Sequence, residues 1–153
     1  MKRKIFLSIL ISSVFMITCK SENSGPASGS GSSKTEVVQL TDETFKKMVF
    51  NYEANKEWKY EGTKPAIIDF YADWCGPCRQ LSPLVEELAK EYAGKIIVYK
   101  VDTDRERVLS GKLGISGLPT LLFIPASGAP QMSMGYIPKE SLVKAVNEVL
   151  QVK

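Results

Sequence analysis

Histidine is absent from this chain of 153 residues. That excludes histidine acid–base catalysis, a Ser-His-Asp relay and histidine-ligated metal sites. Cysteine is scarce, at three residues, and the chain lacks the four cysteine or histidine ligands that a structural zinc site takes. The N-terminal apolar run, Ile5 to Ile17, falls short of the roughly 20 residues of a membrane-spanning helix. A strong charge bias is also missing. Lys2, Arg3 and Lys4 are three of 20 basic residues, and none of the 17 acidic ones precedes Glu22. Without that leader the two signs balance, which argues against a nucleic-acid-binding face. No internal repeat and no separate oligomerisation segment is visible, so a monomer is expected. What is present is ordinary: 44% hydrophobic and 24% charged residues, in a length that suits one globular domain with accessory segments.

The accessory segments come first. Basic Lys2-Arg3-Lys4 followed by the short apolar run reads as a secretory signal peptide over residues 1–18. Phe15-Met16-Ile17-Thr18-Cys19 resembles a bacterial lipobox, with Cys19 as the acylated first mature residue. Met16 and Thr18 depart from the preferred Leu and small residue, and a plain signal peptide with an incidental Cys19 is the alternative. Acylation of Cys19 accounts for the odd cysteine. Residues 19–35 are rich in Gly and Ser and have nothing to bury, so they read as a flexible tether. The folded domain is expected over 36–153.

Within it, hydrophobic periodicity predicts a strand over 36–40 and a helix capped by Thr41 or Asp42, with Phe45, Met48, Val49 and Tyr52 on its apolar side. A polar segment bearing Trp58 and Tyr60 follows. Residues 66–71 are apolar on both faces apart from Asp69, as a central strand would be. A helix is expected from Gln80 to Tyr92, kinked by Pro83. Further elements are a strand over 95–101, a short helix over 105–112 with Val108 and Leu109 as its apolar residues, strands over 120–124 and 131–134 around a Ser127-Gly128 turn, and a helix over 138–149. The order β-α-β-α-β-α-β-β-α implies an α/β fold, a mixed sheet flanked by helices.

Trp74-Cys75-Gly76-Pro77-Cys78-Arg79 joins the second strand to the second helix. Two thiols three positions apart on a first helical turn share a face and can close a disulfide. The amides and dipole of a helix N-terminus favour a thiolate, the nucleophile of disulfide exchange. The pattern is that of a redox dithiol. Half a zinc site is the competing reading of Cys-x-x-Cys, and a purely structural disulfide over so short a loop gains little from loop closure. No metal and no bound cofactor is called for, because the dithiol is itself a redox centre.

From about Glu36 onward the chain resembles thioredoxin. The match rests on Ile68-Asp69-Phe70-Tyr71-Ala72-Asp73-Trp74-Cys75-Gly76-Pro77-Cys78, on Gly117-Leu118-Pro119-Thr120, and on Asp102, Gly128 and Gly135 as later landmarks. The segment with Trp58 and Tyr60 departs from the simplest cytosolic members and resembles exported, envelope-anchored thioredoxins of the Bacteroides type. The resemblance implies the thioredoxin fold and a set of roles. Cys75 is implied as the exposed nucleophile, Cys78 as the buried resolving thiol, and Asp69 as a buried carboxylate that accepts the Cys78 proton. Lys100 is implied as its lysine neighbour, and Trp74 as a cover packed beside the dithiol. Pro119 is implied to be cis, leaving Leu118 to pair with an extended substrate strand. Gly76, Pro77 and Gly135 complete the expected substrate surface.

Neither fold nor dithiol settles the direction of electron flow. Gly76-Pro77 carries no positive charge to over-stabilise the Cys75 thiolate, which favours a protein-disulfide reductase. An oxidising compartment would favour an oxidase or isomerase, and a client-specific non-catalytic module is the third reading. A reductase in the periplasm or cell envelope requires disulfide-bearing protein substrates and a membrane thiol–disulfide electron donor.

Overall fold

Residues 66–71 alternate their apolar side chains between two faces without a polar stripe, and this strand lies at the centre of the structure, a computed structural model that describes residues 37–153. The elements are β1 (Val37–Gln39), α1 (Asp42–Met48), β2 (Ala66–Tyr71), α2 (Gly76–Glu91), β3 (Ile97–Asp102), α3 (Arg107–Lys112), β4 (Thr120–Ile124), β5 (Gln131–Met134) and α4 (Lys139–Glu148). Among the described residues the strands form one mixed sheet in the order β1-β3-β2-β4-β5. β1, β3 and β2 run parallel, while β4 and β5 are added antiparallel. The expected signal peptide, the tether and Cys19 lie outside the described residues.

The period-two alternation of β2 divides the core. Ala66, Ile68 and Phe70 pack with Tyr99, Val101, Leu122, Phe45 of α1 and Leu109 of α3. Ile67 packs on the other face with Val98, Leu121 and Phe123, under Leu81, Val85 and Leu88 of α2 and Leu142 and Val146 of α4. Asp69, next in the alternation after Ile67, therefore belongs to the α2 face. Truncating a side chain as deeply buried as Phe45 costs about 3–5 kcal/mol, so these two layers hold the sheet on which the dithiol rests.

Local chemistry sets the element ends. Thr41 caps α1 through a reciprocal capping box with Thr44. The helix ends at Met48, so Tyr52 lies beyond it rather than on its apolar side. α2 begins at Gly76, four residues before the expected Gln80, because Cys75 serves as its N-cap and Pro77 suits a first turn that needs no amide donor. The helix runs on through Pro83. In α3 Leu109 and Ser110 are buried, while Val108 is 66% exposed. Trp58 stacks on Phe50 at 4.8 Å and Tyr60 donates to the Lys64 carbonyl at 2.7 Å. Both rings pack against the α1-side core.

Candidate active site

Cys75 and Cys78 are joined by a disulfide, with their Cα atoms 5.3 Å apart. The helix geometry brings them together: Cys75 is the N-cap, and the backbone N–H of Cys78 donates to Cys75 Sγ at 3.2 Å. An amide of the first turn aimed at this sulfur, added to the helix dipole, favours the thiolate once the bond is reduced. The expectation of an exposed Cys75 does not hold for this state. Cys75 is 4% exposed against 2% for Cys78; the two cysteines and Ala72 form a small buried cluster against which Tyr71 and Leu118 pack.

Trp74 is also placed differently from a cover over the dithiol. It is 69% exposed, and its indole N–H donates to Asp104 Oδ2 at 2.8 Å, which draws the ring outward. There it forms one wall of an open groove of about 380 Å³ shared with Arg107, Ile115, Gly117 and Leu118. The Leu118–Pro119 peptide bond is cis. Gly135, at φ +90°, donates its amide to the Pro119 carbonyl at 2.8 Å, and Thr120 Oγ1 donates to the Gly117 carbonyl at 2.7 Å. Gly135 thus supports the loop from behind rather than lining the groove. Gly76 is partly exposed and Pro77 exposed. Arg79 folds back to donate to the Asp73 carbonyl at 3.1 Å, so the positive charge of the motif follows the cysteines instead of separating them.

Asp69 is fully buried on β2. Burial pushes its pKa above the usual carboxylate value; a hydrogen bond from Ser82 and the charge of Lys100 oppose that rise, and Glu86 adds to it. Ser82 Oγ donates to Asp69 Oδ2 at 2.8 Å, while Oδ1 is buried without a hydrogen-bond partner among the described residues. Lys100 is the register partner of Asp69 on β3, but it makes no ion pair with that carboxylate. Its ammonium lies 3.2 Å from Glu86 Oε1 and 4.8 Å from the centre of the Tyr71 ring. Parallel pairing sets the two residues side by side, and the length of the lysine chain carries its charge past Asp69 to the helix above.

The buried carboxylate comes from within β2, the dithiol from the start of α2 and the cis-proline from the loop before β4. The thioredoxin family model matches residues 36–148 of this sequence. The chain belongs to the thioredoxin family. It is 47% identical over 111 residues to thioredoxin of Borreliella burgdorferi, covering 72% of this chain and 95% of that protein. It is 37% identical over 113 residues to thioredoxin 1 of a Nostoc species, covering 74% and 96%. Among solved structures, that of chloroplastic thioredoxin z superimposes with a TM-score of 0.64 at 28% identity, covering 76% of this chain and 96% of that one. This is a thioredoxin-type thiol–disulfide oxidoreductase with Cys75–Cys78 as its disulfide.

Three residues of this thioredoxin domain escaped the sequence reading: Ser82, Glu86 and Asp104. Ser82 and Glu86 follow Cys78 at four and eight residues on α2, a helical spacing that returns them to the same side. That spacing was available as a signal; the identity of their partners was not. Asp104 meets Trp74 across 30 residues of sequence, and nothing local announces it.

Proposed function

We propose that the protein is a protein-disulfide reductase of the cell envelope, exported by residues 1–18, acylated at Cys19 and held on the tether of residues 19–35. The observation that carries the redox reading is the Cys75–Cys78 disulfide at the N-cap of α2, beside the cis bond at Pro119. The Cys75 thiolate attacks one sulfur of a substrate disulfide. A mixed disulfide forms, and the other substrate sulfur leaves as a thiolate. Cys78 loses its proton to Asp69, the buried carboxylate, whose raised pKa suits it to take a thiol proton. The Cys78 thiolate then attacks Cys75 Sγ, the second substrate thiol departs, and two electrons have passed to the substrate. The exposed Trp74 face and the Leu118 backbone beside Pro119 hold an extended substrate segment. Return to the dithiol requires two electrons from a membrane thiol–disulfide donor. The chain acts as a monomer.

The reductase direction rests on Gly76-Pro77, which adds no charge between the cysteines to stabilise the reduced form. The deciding experiment is the equilibrium reduction potential of the pair in the full chain, measured in glutathione and dithiothreitol buffers. A value near −270 mV, roughly that of thioredoxin, supports the proposal; one near −120 mV, roughly that of a strong oxidant, makes the protein a disulfide-forming enzyme. Export and acylation are tested separately, by whether Cys19→Ala releases the protein from the membrane fraction.

A further inference from the structure

Cys78 and Ser82 lie four residues apart on α2, so both project from one face of the helix. The same face covers β2 at Asp69, where Ser82 Oγ donates to Oδ2 at 2.8 Å. Oδ1 has no partner among the described residues and no contact with solvent. The two oxygens of one carboxylate are thereby made unequal. One is held by a hydroxyl donor, and the other keeps both lone pairs open. Asp69 sits on a central strand between β3 and β4, with apolar Leu121 as its β4 register partner. The charged groups acting on it are Lys100 of β3 and Glu86 of α2, and neither bonds it. Ser82 is thus its hydrogen-bonding neighbour, and it is carried on the helix that carries the thiol to be deprotonated.

We infer that Ser82 is a positioning residue for the proton transfer: it fixes the Asp69 carboxylate through Oδ2 so that Oδ1 is the oxygen that takes the Cys78 proton. This inference rests on the reading of Asp69 as the proton acceptor. A hydroxyl bonded to one oxygen removes the freedom of the carboxylate to rotate, so the free lone pairs point in one direction. The same bond stabilises the anion in a site where burial disfavours it, so Asp69 remains available as a base at lower pH than burial alone would allow. An alanine at this position would leave a buried anion with no hydrogen bond from the described residues.

The test is a single-turnover measurement on the full chain. Reduced protein is reacted with dithiobis-nitrobenzoate, and the second thionitrobenzoate, released as Cys78 closes on Cys75, is followed against pH. Ser82→Ala should slow that release by about three- to tenfold on the rising limb of the profile and displace the limb to higher pH. Ser82→Thr, which keeps the hydroxyl, should restore it. In an Asp69→Asn background Ser82→Ala should have no further effect. Serine to alanine within a helix favours the helix, and a thermal melt verifies that each variant is folded. A Ser82→Ala profile that superimposes on the native one overturns the inference. So does an equal displacement in Ser82→Thr, or a Ser82→Ala displacement that persists in the Asp69→Asn background. If Asp69→Asn itself leaves rate and profile unchanged, the acceptor reading fails and the role of Ser82 fails with it. A changed Asp69→Asn profile with an unchanged Ser82→Ala one removes Ser82 alone.

Discussion

Asp69 and Lys100 are register partners on adjacent parallel strands, yet the lysine charge is bonded to Glu86, at 3.2 Å, and not to Asp69. Lys100 therefore acts on the buried carboxylate through space, lowering its pKa, while Glu86 acts in the opposite sense.

The two charges should separate in variants. Lys100→Met removes the stabilising charge and should shift the pH profile of Cys78 closure upward. Glu86→Gln removes the opposing charge and frees the ammonium, so the shift should be downward. Each change should be worth about two- to threefold in rate at a fixed pH on the limb, since neither group makes direct contact and the pair is partly solvated. Stopped-flow release of thionitrobenzoate reads both signs.

Asp69 also sets a stability dependence on pH. Its native pKa is raised from the ordinary value of 3.8, so between those two values the native state binds more protons than the unfolded chain. Stability then falls as pH climbs through that window and stays reduced above it. Asp69→Asn removes the buried anion and should raise the Tm at neutral pH, by about 4 °C for about 1 kcal/mol. The gain should shrink on acidification and be gone below the ordinary carboxylate value. Melts of both proteins across that range check the sign, which reverses if Asp69 is stabilised as the anion.

The division of labour between the cysteines is checked by trapping. Cys78→Ser leaves Cys75 able to attack but removes the group that resolves the mixed disulfide, so covalent adducts with disulfide substrates should accumulate. Cys75→Ser should form none, and reduction of a protein disulfide should fall to background in both. Mass spectrometry of the non-reduced protein distinguishes them, and adducts on Cys78 in the Cys75→Ser protein would reverse the assignment.

Asp104 orients the exposed Trp74 through one hydrogen bond of 2.8 Å. Asp104→Ala should release the ring, alter its fluorescence and raise KM for a protein substrate about two- to fivefold, the effect of losing about 0.5–1 kcal/mol, with kcat nearly unchanged. An unchanged KM would remove Trp74 from the docking surface.

The element order, the central placement of 66–71, a cap at Thr41 or Asp42 and the dithiol at a helix start were all legible in the sequence. Each depends on contacts within about one turn or one strand, where hydrophobic period, cap chemistry and residue spacing act directly. The exposure of Trp74 and the burial of Cys75 were not. A tryptophan beside a dithiol reads as a cover, but its exposure depends on Asp104, which β3 and the loop after it bring alongside from a distant part of the chain. Leu118, 43 residues away in sequence, packs against the buried cluster that contains Cys75. Lys100 is the clearest division. Its strand and its pairing opposite Asp69 follow from local pattern and parallel register, but where its charge ends up depends on Glu86 of α2 lying across that strand. The sequence by itself thus determined which groups are available and which local elements carry them. The packing of helix on sheet decided which of them meet, because each partner choice is made between segments that only the fold brings within bonding distance.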